Sequence, residues 1–134
     1  MSRQAVTTDQ APASPSYSQA IVAGNLVFVS GTVGRDMKTG RWPDDVEGQC
    51  EQALENLDAV LKEAGCGLED VVKTTVWLTD PGHGARIARI YGAAFGGSPP
   101  ARSAPVVAGF PVPEALISIE AIATRSGAPP AEPR

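Results

Sequence analysis

Histidine is nearly absent from this chain, with one in 134 residues, and cysteine is scarce, with two. His83 alone cannot build a multi-histidine metal site. Cys50 and Cys66 are too few and too unpatterned for a disulfide framework or a zinc site, which fits a reducing cytosol. No basic stripe exists either: 11 Lys and Arg are scattered among 15 Asp and Glu, for a net charge of -4. That balance lacks the footprint of phosphate recognition, so no nucleic-acid partner is expected. An acidic surface also does not seek anionic membranes, and no apolar run is long enough to span one. The first residues carry no apolar signal core, and the expected location is therefore cytoplasmic. Phosphate loops, dinucleotide glycine fingerprints and Gly-x-Ser-x-Gly elbows are all missing. An apolar fraction of 43% then leaves an ordinary globular chain, of a length for one core.

Punctuation by glycine and proline divides the chain into elements. Ala20-Ile21-Val22 and Leu26-Val27-Phe28-Val29-Ser30 read as strands around a Gly24-Asn25 turn. The segment Arg35 to Arg41 has the polarity and the glycine of an exposed loop. With Asp44 or Asp45 as cap, Val46, Cys50, Ala53, Leu54, Leu57, Val60, Leu61 and Ala64 recur at helical spacing until Gly65 stops the helix. Cys50 falls on that apolar stripe and is expected to be a core thiol. Val71 to Leu78 reads as a third strand, and Ile87, Ile90, Tyr91, Ala94 and Phe95 mark a second helix before Gly96-Gly97. Arg102 to Val107 and Leu116 to Ala123 predict two more strands. Strand pairs followed by a helix, twice over, predict an α/β (α+β) sheet covered by helices on one face. The expected organisation is a flexible segment at 1–15, a single domain at 16–125 and a disordered tail at 126–134.

Arg102 and Glu120 stand out because, Glu114 apart, they are the only charges between Arg89 and Arg125. Each is expected within a stretch built for burial, and a buried charge is costly unless paired. One reading is a structural ion pair between the two, or with Glu114. The other is a site in which the planar fork of Arg102 holds a substrate carboxylate while Glu120 handles a proton. Strand periodicity puts Ser118 and Glu120 on one face with Leu116 and Ile122. Desolvation there would raise the carboxyl pKa, and a nearby Arg102 would lower it.

Lesser candidates are Tyr17, set among small polar residues, and Ser30-Gly31, where a hydroxyl and bare backbone could meet a ligand at a strand end. His83, in Asp80-Pro81-Gly82-His83-Gly84, reads as a loop residue without a role.

Several segments in order carry a resemblance: Ser16-Tyr17-Ser18-Gln19-Ala20, Gly24 to Gly31, Gln52 to Leu57, Val71 to Val76, Pro99-Pro100-Ala101-Arg102-Ser103 and Ile119 to Ala123. Together they resemble the reactive intermediate deaminase (Rid, YjgF) family over nearly all of Tyr17 to Ala123. The resemblance implies a chorismate-mutase-like fold, a mixed sheet with two main helices on one face, and a homotrimer with clefts between subunits. An apolar sheet face and open edges in so short a chain agree with assembly. It also implies hydrolysis of 2-imino and enamine acids, such as 2-aminoacrylate, to 2-keto acids and ammonia without metal or organic cofactor. Arg102 would then clamp the carboxylate, Glu120 would activate water, and Tyr17, Ser30 and Gly31 would line the cleft. The main chain near Ala104 would meet the imine nitrogen. Ala104 replaces a common Cys, Ala88 a common Asn, Thr32 a frequent Gln and Gly84 a bulkier residue, implying a wider far wall. A carboxylate-binding regulatory trimer is the alternative. Some relatives are labelled endoribonucleases or translation inhibitors, a role the acidic balance opposes.

Overall fold

Helix α1, Val46–Glu63, begins where Asp45 Oδ1 accepts a hydrogen bond from the Gly48 N–H at 2.8 Å, and it ends before Gly65 at φ +91°. Both ends fall where the sequence places them. The computed structural model describes residues 2–125, and within it α1 buries Val46, Cys50, Ala53, Leu54, Leu57, Val60 and Leu61 against a single sheet. Six strands form that sheet: β1 (Arg3–Val6), β2 (Ala20–Ala23), β3 (Leu26–Val33), β4 (Val71–Leu78), β5 (Ala101–Ser103) and β6 (Ile117–Thr124). Their spatial order is β1-β2-β3-β6-β4-β5, antiparallel except for the parallel pair β4 and β5. The α+β mixed sheet with two helices on one face is thus as expected.

Helix α2, His83–Ala94, lies beside α1 and reaches the sheet through Tyr91, whose hydroxyl stands 2.6 Å from Thr74 Oγ1. His83 is therefore the first residue of a helix rather than part of a loop. The expected double strand-strand-helix order also needs correction, because β4 leads directly into α2 and both β5 and β6 follow it.

Alternation along β6 sends Ile117, Ile119, Ala121 and Ala123 into the helix-covered core, and Ser118, Glu120 and Ile122 to the other face. Phe28, 41% exposed, sits on that uncovered face between Ile21 and Ile122 of the neighbouring strands.

Within the segment expected to be flexible, several described residues have backbone partners. Residues 3–6 pair with β2, and the buried Gln19 amide ties the chain that follows: its Oε1 accepts from Thr8 N, while Nε2 donates to the carbonyls of Thr8, Ala11 and Pro12. Backbone groups with such partners do not fray, whatever the segment's composition. Exchanging Gln19 for alanine should free this segment, so that the protected Thr8 amide exchanges with solvent as fast as an open loop amide. Unchanged protection in the variant would mean that β1 alone holds the segment. The tail expected at 126–134 lies outside the described residues.

Burial pushes the Cys50 thiol up to about 12 from its ordinary 9.0, and burial likewise raises that of Cys66. Native protein at pH 8 should resist iodoacetamide at both positions, since the thiolate is the reactive form. Because folding retains the Cys50 proton, stability should fall as pH rises from 9.0 toward 12. Rapid alkylation of folded protein would contradict this burial.

Candidate active site

A register shift between Val29 and Thr32 interrupts the pairing of β3 with β6, and Ser30 and Gly31 occupy the resulting bulge. Bulges bend a strand and re-aim its side chains. Here Ser30 Oγ donates to the Ser18 carbonyl at 2.7 Å, Ser30 N donates to the Gln19 carbonyl, and Thr32 Oγ1 donates to the Ser30 carbonyl. Gly31 is bare for a visible reason, because a Cβ there would stand 2.7 Å from Ser118 Oγ.

Ser30, Gly31 and Ser118 line a cavity of about 1000 Å³ whose walls also include Tyr17, Arg35, Trp42, Phe110 and Glu114. Tyr17 is half exposed at its mouth. Two amides buried on the stripe of α1, seven residues apart, hold the walls. Asn56 Nδ2 donates to the carbonyls of Val33 and Arg35, both at 2.9 Å. Gln49 Nε2 donates to the carbonyls of Pro43 and Glu114, and its Oε1 accepts from Leu116 N at 2.8 Å. Sequence reasoning missed Gln49, Asn56, Arg35 and Trp42. For the two amides the signal was available: a polar side chain on an apolar helix stripe needs backbone partners. Arg35 and Trp42 sit in a polar loop whose pattern says only that it is exposed.

Tyr17, Ser30 and Gly31 thus converge, whereas Arg102, Glu120 and Ala104 do not join them in the cavity wall. Glu120 is nearest in chain terms, two residues beyond Ser118 on the same face of β6. It is half-buried, and its Oε1 accepts from Trp77 Nε1 at 3.0 Å. Arg102 is on edge strand β5, paired in register with Thr74, and its guanidinium carbon lies 5.0 Å from the centroid of the Tyr91 ring on the helix-covered side. Three strand spacings, about 14 Å, separate β5 from β3.

The expectation of burial around Arg102 fails, since Ala101–Ser103 are all exposed: β5 has a neighbour on one side only. Among the described residues the ion pairs are Lys62 with Asp58 and Arg86 with Glu47, both on the surface. The structural pairing of Arg102 with Glu120 or Glu114 is therefore absent. Ala104 is exposed just past β5, before the Leu78 to Val106 bridge. Thr32 is buried, and neither it nor Ala88 or Gly84 lines the cavity. Among the described residues no three His, Cys, Asp or Glu gather as metal ligands, and no helix is long and apolar enough to cross a membrane.

These features define a class: one mixed sheet, two helices on one face, and a cleft at a strand bulge beside the uncovered face. The family model described as Endoribonuclease L-PSP matches residues 8–125. A 2-iminobutanoate/2-iminopropanoate deaminase of Rattus norvegicus is 42% identical over 125 residues, covering 92% of this chain and 90% of the relative. A RutC family protein of Pyrococcus horikoshii is 43% identical over 123 residues, or 90% and 97% of the two chains. Among solved structures, E. coli TdcF with bound serine superposes with a TM-score of 0.86 at 36% identity, covering 92% of this chain and 99% of that one. RidA from Psychrobacter gives 0.85 at 38% identity, covering 90% and 98%. The chain belongs to the endoribonuclease L-PSP family, that is, the reactive intermediate deaminase (RidA, YjgF) family.

Proposed function

We propose that this protein is a deaminase that hydrolyses 2-imino acids and their enamine tautomers, 2-aminoacrylate and 2-iminopropanoate among them, to 2-keto acids and ammonia. The observation that carries this reading is the division of its candidate residues. One chain builds a cradle of Tyr17, Ser30 and Gly31, and holds Arg102 and Ala104 at the far edge of the same sheet. A second copy placed against the uncovered face can bring its own Arg102 to that cradle, and a closed homotrimer satisfies every copy in turn. Phe28 and Ile122 supply apolar surface for such a contact. The deaminase names of relatives at 42% identity support the same chemistry.

In this assembly Arg102 grips the substrate carboxylate through paired N–H donors. The bulge at Ser30 and Gly31 lets the backbone approach the substrate, and a carbonyl near Ala104 accepts from the imine N–H. Glu120 takes a proton from water as the water oxygen bonds to C2, and the nitrogen gains protons. The C2–N bond then breaks as the C2 hydroxyl gives up its proton to solvent, ammonia leaves and the C2 carbonyl forms, with no change of oxidation state. A protonated imine is already electrophilic, so positioning is the main demand and no cofactor is invoked. A cytoplasmic role, clearing enamines released by pyridoxal-phosphate enzymes, fits this reaction.

Generating 2-aminoacrylate in situ with a serine lyase and following pyruvate tests the reading. Wild-type protein should accelerate pyruvate formation, and Glu120→Gln should slow it by about 100-fold, the scale of a lost general base. Acceleration undiminished in Glu120→Gln would remove that carboxylate from the mechanism. Binding of a small carboxylate with no acceleration at all would instead identify a regulatory trimer, a reading that the Trp77 hydrogen bond already occupying Glu120 favours.

A further inference from the structure

Among the described residues Arg35 is the one cation in the wall of the cavity, and the loop around it restricts where its charge can go. On its N-terminal side, Gly34 packs so tightly on α1 that a Cβ would collide with the Gln49 carbonyl oxygen. Asn56 holds the Arg35 carbonyl itself. The loop then closes on Asp36, which accepts from the Gly40 N–H at 2.7 Å through its carbonyl and from Lys38 N at 2.8 Å through Oδ1. Gly40 turns at φ +76°, where glycine has no steric penalty. Its carbonyl receives Arg35 Nε at 3.2 Å, and a Cβ on it would stand 3.2 Å from Arg35 Nη2. The side chain is thereby anchored at one nitrogen with its outer nitrogens still to be satisfied, and among the described residues it enters no ion pair. A guanidinium held this way loses little freedom on meeting a second carboxylate.

We infer that Arg35 selects the substrate: it binds a carboxylate on the substrate side chain, so that the cleft prefers 2-imino dicarboxylic acids to 2-imino monocarboxylic acids. This rests on the deaminase reading, in which Arg102 takes the carboxylate next to the imine. The volume of about 1000 Å³ leaves room for a longer chain than that of aminoacrylate. Among the described residues Glu114 is the only carboxylate in the wall; it is exposed and no hydrogen bond holds its side chain, whereas Arg35, also exposed, is tied at Nε to the Gly40 carbonyl.

The test compares 2-iminoglutarate with 2-iminobutanoate, each generated from its amino acid by an amino-acid oxidase, together with binding of 2-oxoglutarate and 2-oxobutanoate measured by calorimetry. Wild type should show kcat/KM roughly 10- to 100-fold higher for the dicarboxylate, the scale of one charge-assisted hydrogen-bonded pair. Arg35→Ala should erase that preference by lowering kcat/KM for 2-iminoglutarate far more than for 2-iminobutanoate, and keep the wild-type melting temperature, while Arg35→Lys should recover part of the preference. Equal loss on both substrates, or no preference in wild type, overturns the inference and leaves the deaminase reading standing. If neither imine is hydrolysed, the deaminase reading fails. Binding of 2-oxoglutarate then decides the role of Arg35: affinity lost in Arg35→Ala supports dicarboxylate recognition, and affinity unchanged overturns it.

Discussion

Arg102→Ala should lower kcat/KM for 2-aminoacrylate hydrolysis by at least about 100-fold, because it leaves the substrate carboxylate without its paired donors in a site screened from water. The same variant should fold normally. Arg102 is exposed on a three-residue edge strand, and its recorded partner is the Tyr91 ring 5.0 Å away. Such a contact contributes roughly 0.5–1 kcal/mol at an exposed position, a few degrees of melting temperature at most. Activity should therefore vanish while the melting curve barely moves. A sharper form of the experiment uses the separation of the two half-sites. Gly31→Val places a side chain where even a Cβ would meet Ser118 Oγ at 2.7 Å, spoiling the cradle while sparing Arg102. Each variant alone should be inactive, but co-expressed chains should regain measurable turnover, since a mixed assembly holds some clefts with an intact cradle from one chain and an intact Arg102 from another. Mixtures as inactive as their parents would mean that Arg102 and the cradle do not meet across an interface.

Gln49→Ala should destabilise the fold by about 3 kcal/mol or more. One amide serves the carbonyls of Pro43 and Glu114 and the N–H of Leu116, in surroundings where Gln49 itself is 2% exposed. Each buried backbone group left without a partner costs roughly 1–3 kcal/mol, and the shortened side chain adds a cavity. The consequence is not only thermal. Both loops released by the change, around Pro43 and around Glu114, form walls of the cleft, so KM should rise even at temperatures where the variant is folded. Calorimetric unfolding and KM measured well below the transition check the two parts independently. A variant melting within about two degrees of wild type would show that water replaces the amide without loss.

The sequence carried the scaffold well because apolar periodicity and capping chemistry are local. Asp45, the stripe from Val46 to Leu61 and Gly65 define α1 without knowledge of anything it touches. Strand positions followed the same logic, and residues 3–6 escaped because their pairing depends on β2 rather than on their own pattern. The site was legible by halves. Ser30 and Gly31 could be picked out at the end of a strong strand, but the bulge that aims them arises from the register of β3 against β6, a relation between residues some ninety positions apart in the chain. Arg102 stands out in the sequence as an isolated charge in an apolar stretch, yet it is exposed, and its neighbourhood is apolar because β5 and the segment after it run beside β4. Arg35 gave no signal at all, since a cation in a polar loop is ordinary until the fold folds that loop over a cavity.

The outermost strands have a consequence for how copies of this chain can join. β5 is three residues long, preceded by Pro99 and Pro100 and followed by Pro105, none of which can donate a backbone hydrogen bond, and β1 at the opposite margin has only four residues. A short, proline-flanked margin is a poor template for adding another strand. Concentrated solutions should accordingly contain finite particles of fixed size rather than ribbons that lengthen end on end.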